Sequence, residues 1–99
     1  MAMLGIDLQE GFEGDEVVVK VNGEELFRSA DVRTRRAAGL ATHARFTVDD
    51  GPLSIEVSVP SRGIEKRIDV DARDRLFLGL SITGDDVRVI QRSQPFGYA

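Results

Sequence analysis

Apolar residues recur at every second position along most of the chain, and turn-forming residues interrupt them at intervals of about ten. Leu4, Ile6 and Leu8 alternate with Gly5 and Asp7, and Val17, Val19 and Val21 follow the turn-like "EGFEGD". Asn22-Gly23 comes next, a pair able to adopt the two positive φ angles of a type I′ hairpin turn. That turn sets Val21 against Glu24, Lys20 against Glu25, Val19 against Leu26 and Val18 against Phe27. An opposite-charge pair and two apolar pairs then fall into register together.

A second hairpin is expected around "DDGP". Leu40, Thr42, Ala44, Phe46 and Val48 alternate up to it, and Leu53, Ile55, Val57 and Val59 alternate away from it. The register pairs Val48 with Leu53, Phe46 with Ile55 and Arg45 with Glu56, and puts His43 beside Ser58. Pro60 closes the strand and "SRG" turns the chain. Ile64, Ile68 and Val70 share a face with Lys66, an inward charge of the kind that protects an edge strand. Leu76, Leu78, Leu80 and Ile82 then alternate with Phe77, Gly79 and Ser81, and Val87 and Val89 follow "TGDD". No window of eleven or more residues has helical spacing. Seven or eight short, mostly antiparallel strands predict an all-β, immunoglobulin-like sandwich. A small barrel is less favoured, because most strands have one apolar and one polar face.

Ninety-nine residues suffice for one core. Residues 1–93 read as the sandwich and 94–99 as a C-terminal tail. Without cysteine there is no disulfide scaffold and no thiolate metal site. The start lacks the basic and apolar regions of a signal peptide, and "LFLGL" at 76–80 is too short to span a bilayer. These features favour the cytoplasm, with periplasm or cell surface open to a domain of a larger protein.

The net charge of −4 is unevenly spread. Residues 1–27 carry −6, residues 28–45 carry +4 and residues 46–99 carry −2. Net acidity argues against general nucleic-acid binding, which needs a broad basic surface. The basic stretch "RTRRAAGLATHARF" suggests that Arg33, Arg35 and Arg36 grip an acidic partner or anion, since guanidinium binds carboxylate and phosphate bidentately. The simpler reading is a crossover between sheets whose arginines are solvated or paired with nearby acids. The tail "SQPFGYA" holds Phe96 and Tyr98, aromatics expected to dock on the domain's own edge, on another subunit or on a partner.

Catalytic signatures are missing. His43 has no second histidine or cysteine for a metal, and no G-x-S-x-G elbow supplies a nucleophile. "DVDARD" gathers Asp69, Asp71 and Asp74, but an EF-hand loop counted from Asp69 would need an oxygen ligand, glycine and glutamate where Arg73, Asp74 and Leu80 stand. Asp49 with Asp50, or Asp85 with Asp86, read as turns that could still gather an ion between loops. There is no phosphate-binding glycine motif. With no Trp and one Tyr, the aromatic walls of a sugar site are scarce.

The run "TRRAAGLATHARFTVDDGPLSIEVSVPSRG" resembles the prealbumin-like β-sandwiches, the group of carboxypeptidase regulatory-like and surface-repeat domains. Thr34, Gly39, Gly51 and the strand Leu53–Val59 carry the likeness, over about a third of the chain. The resemblance implies a non-catalytic stalk, spacer or interaction module. It also implies that a Lys–Asp isopeptide bond would have to use Lys20 or Lys66, because Asn22 is committed to a turn.

The sequence therefore predicts a non-catalytic module that binds another protein or its own copies, without cofactor, metal, nucleic acid or membrane insertion. Its binding residues are Arg33, Arg35, Arg36, Phe96 and Tyr98. The alternative is a ligand-binding domain for carbohydrate or a small anion, with or without calcium.

Overall fold

The structure, a computed structural model, describes residues 1–35 and 37–98. The alternating segments form eight strands: β1 (Ala2–Leu8), β2 (Glu13–Val21), β3 (Glu24–Arg33), β4 (Thr42–Val48), β5 (Gly51–Val59), β6 (Ile64–Ala72), β7 (Arg75–Thr83) and β8 (Asp86–Arg92). They make two four-stranded sheets, sheet A in the order β4-β1-β7-β8 and sheet B in the order β3-β2-β5-β6. Each strand turns its apolar alternate inward. Leu4, Ile6 and Leu8, with Leu78 and Leu80, meet Val17, Val19, Ile55, Val57 and Val59 in one core. The fold is a β-sandwich. Among the described residues only β1 and β7 run parallel, a pairing that needs a long connection; here everything from β2 to β6 lies between them.

The first hairpin forms about Asn22 (φ 50°) and Gly23 (φ 85°), with Val21 opposite Glu24 and Lys20 opposite Glu25. Beyond that pair the expected register slips. A β-bulge sets Phe27, not Leu26, opposite Val19, and Arg28 opposite Val18. A bulge turns two consecutive side chains toward one side of the sheet. Leu26 and Phe27 consequently both pack against the core, and Phe27 meets Phe46 edge-on at 6.5 Å.

The second hairpin does not form. β4 pairs with β1 in sheet A, while β5 pairs with β2 and β6 in sheet B, so the chain changes sheets at Asp49-Asp50. Arg45 lies opposite Gly5 rather than Glu56, and His43 opposite Asp7 rather than Ser58. An apolar alternate satisfies the core equally well from either sheet, so local alternation did not distinguish the two arrangements. Pro60–Arg62 form a 3-10 turn closed by Gly63, where the sequence placed a turn. β6 is an edge strand, and Lys66 reaches across to Asp86 of β8 (3.4 Å). Among the described residues no helix is long and apolar enough to cross a membrane.

Candidate functional site

β1 and β7 are covered on both faces. Leu4–Leu8 and Leu76–Leu80 are buried without interruption, although in a two-sheet sandwich the outward alternates normally face water. Something must therefore lie on the outside of sheet A.

Two glycines make room for it. An added methyl on Gly5 would sit 2.8 Å from Cε1 of Phe77, and one on Gly79 would sit 2.7 Å from the Gln9 amide nitrogen. Phe77, an outward residue 1% exposed, lies over Gly5, and the guanidiniums of Arg45 and Arg75 cover its ring at 5.2 and 5.6 Å. Gln9 lies over Gly79 in the same way.

Beside them is Asp7, an outward carboxylate only 2% exposed. Its Oδ1 accepts from Arg45 Nη1 at 3.2 Å and its Oδ2 from the Tyr98 hydroxyl at 2.7 Å. The Gln9 amide donates to the Tyr98 oxygen at 2.9 Å. Burial and the Asp7 acceptor push the Tyr98 phenol up to about 12, so it serves as a proton donor rather than a phenolate. Phe96 packs under Arg92 at 4.9 Å, and Arg92 is the cross-strand neighbour of Phe77. The tail docks on the chain's own sheet A, over its outer face.

The arginine segment is a crossover that carries the chain from β3 to β4. Thr34 ties it down, donating to the Gln9 carbonyl at 2.6 Å and accepting from the Phe12 amide at 3.1 Å. Arg33 pairs with Asp31 at 2.9 Å. It borders an open groove of about 700 Å³ that also presents Glu10 and Glu13, so the charge there is mixed. Arg35 is exposed and bridges to Leu40 through its backbone. Arg36 lies outside the described residues. The structure thus brings Phe96 and Tyr98 together on sheet A and leaves Arg33 and Arg35 at a separate corner.

A second buried carboxylate, Asp15, has a structural task. Arg62 donates to both its oxygens at 2.9 and 3.0 Å, with Ser61 and the Glu13 amide completing the set. The Arg62 hydrogen bond is the main reason its carboxyl is held below the usual carboxylate range. Arg62 also reaches the Gly11 carbonyl, clamping the start of β2 to the β5–β6 turn. The Lys66–Asp86 contact is an exposed ion pair with no other carboxylate hydrogen-bonded to Lys66 among the described residues.

Sequence reasoning gave no site role to Asp7, Gln9, Arg45, Arg75 and Arg92. The available signal was Phe77 itself, a large aromatic at an outward position of β7 two residues before Gly79. Comparison with protein-family models, with curated proteins and with solved structures finds no match.

Proposed function

We propose that the chain is a non-catalytic interaction and assembly module, a prealbumin-like sandwich that binds an acidic protein surface or its own copies through the outer face of sheet A. One observation carries this reading: the two outer faces have opposite charge. Arg45, Arg75, Arg88 and Arg92 stand outward on sheet A against Asp7 and Asp86. Of these arginines only Arg45 has a carboxylate partner among the described residues. Outward on sheet B, Lys20, Arg28 and Arg67 face a majority of acids: Glu16, Glu25, Glu56, Glu65, Asp69 and Asp71.

The molecule is 19 Å through its thinnest dimension, about two Debye lengths at physiological salt, so an approaching surface feels one face rather than the average. Such a slab steers acidic surfaces to sheet A. The acidic face of a second copy is one surface of the required kind. Eight strands divided four and four differ from the seven or nine of immunoglobulin sandwiches, which favours the prealbumin-like half of the sequence reading.

Light scattering over a concentration series at about 20 and about 500 mM salt tests it. The mass of the intact chain is expected to rise with concentration only at low salt. An Arg75→Glu, Arg88→Glu variant is expected to stay monomeric. A wild type that is monomeric at low salt, and retained on immobilised polyglutamate no better than the variant, would overturn the proposal.

A further inference from the structure

The bed on sheet A holds a ligand already, and that ligand is a peptide segment. We infer that Asp7, Gln9 and Arg92 form a recognition site for an aromatic-Gly-Tyr segment, filled here in cis by Phe96–Tyr98 and equally able to accept the same segment from a second copy. This deepens the assembly half of the function proposed above by adding a contact that does not depend on opposed charged faces.

Three observations carry it. The site is built, because Gly5 and Gly79 are the positions where a side chain would collide with the bed, and Asp7 is 2% exposed with Tyr98 as one of its two side-chain partners. An empty bed leaves one oxygen of a buried carboxylate without that partner, which favours refilling. The occupant is lightly tethered: among the described residues, the segment after Arg92 makes no backbone–backbone hydrogen bond to the sandwich. Its hold consists of Phe96 on Arg92 and the two hydrogen bonds of the Tyr98 hydroxyl. The recognition is also short in reach, since Tyr98 lies six residues beyond the end of β8. An equal set of contacts made in trans is the ordinary route to segment exchange between copies.

Cis docking is favoured by an effective concentration in the millimolar range, so exchange is tested by disabling opposite halves in two full-length chains. One carries Phe96→Ser and Tyr98→Ser, leaving a vacant bed. The other carries Asp7→Asn, leaving an intact segment with a weakened bed, and Gln9→Ala replaces it if Asp7→Asn does not fold. At about 500 mM salt, where association through charged faces is screened, each alone is expected to be monomeric and their mixture to form a heterodimer by light scattering.

As a direct measure, the peptide Ser-Gln-Pro-Phe-Gly-Tyr-Ala is titrated into the vacant-bed chain. A fluorophore attached to the peptide's N-terminus lets fluorescence anisotropy follow the peptide alone, whether its last aromatic is tyrosine or phenylalanine. A Kd on the order of 0.1–1 mM is expected, with about tenfold weaker binding when the peptide's tyrosine is phenylalanine. Binding that is absent to about 5 mM, or equal for the two peptides, overturns the inference. Neither result bears on salt-sensitive face association, which is read separately at low salt.

Discussion

Asp15 and Tyr98 both have displaced pKa values, and the directions predict opposite pH limits. The Arg62 hydrogen bond lowers the Asp15 carboxyl, and burial works against it. A carboxylate whose folded pKa is depressed contributes stability above its unfolded value, near 3.9, and loses it as pH falls through the folded one. Wild type is therefore expected to lose stability below about pH 4 more steeply than Asp15→Asn. At neutral pH, Asp15→Ala should cost about 2–4 kcal/mol in urea unfolding, because it strands Arg62 and two other donors. A cost below about 0.5 kcal/mol would show that the clamp does not hold β2. For Tyr98 the sign reverses. Its folded pKa is raised from 10.0 to about 12 by burial and by Asp7, against the opposing effects of Gln9 and Arg45. Docking is thus intact below about pH 10 and fails progressively toward 12. Because the chain has a single tyrosine, tyrosinate absorbance reports this event directly. Its midpoint should lie near 12 in wild type and lower in Asp7→Asn; a wild-type midpoint near 10 would mean an undocked tail.

At the scale of elements, the β2–β3 hairpin rests on local turn chemistry. Gly23 has φ 85° and nothing within 4 Å of an added methyl, so Gly23→Ala tests backbone strain with no steric contribution. A cost of about 1 kcal/mol is expected in thermal or urea unfolding, and a neutral result would show that the turn can relax. This is why the turn was legible in the sequence, as were all eight strands: alternation and turn residues act within a few positions. The bulge at Leu26-Phe27 was not, because two adjacent apolar residues both gained from facing the core, and that gain appears only once Phe46 is opposite. Nor was the separation of β4 from β5, where the alternation was read correctly and the partner wrongly. β4 pairs with a strand some forty residues away, and no local pattern encodes that choice. The tail was legible as aromatic and docked. Its bed was not, since Asp7, Gln9 and Phe77 become neighbours only through the parallel β1–β7 pair.

At the scale of the whole molecule, the opposed faces make a prediction that separates self-assembly from capture of a foreign acidic partner. If sheet A of one copy docks on sheet B of the next, the contact is heterologous and need not close, so mass should climb with concentration at low salt without settling on one stoichiometry. Glu56 and Glu65 lie outward on the acidic face, on the paired strands β5 and β6. Glu56→Lys with Glu65→Lys should abolish self-association while leaving retention on polyglutamate intact, because the arginine face is untouched. Arg75→Glu with Arg88→Glu should abolish both. The decisive sample is the mixture. The first double variant then carries net positive charge on both faces and the second net negative charge on both, so each finds an opposite face only on the other. Assembly should then resume in the mixture at one-to-one composition, with the two variants alternating, while neither associates alone. A low-salt mixture that remains monomeric by light scattering, while wild type associates, would show that the two faces do not recognise each other and that the association uses another surface.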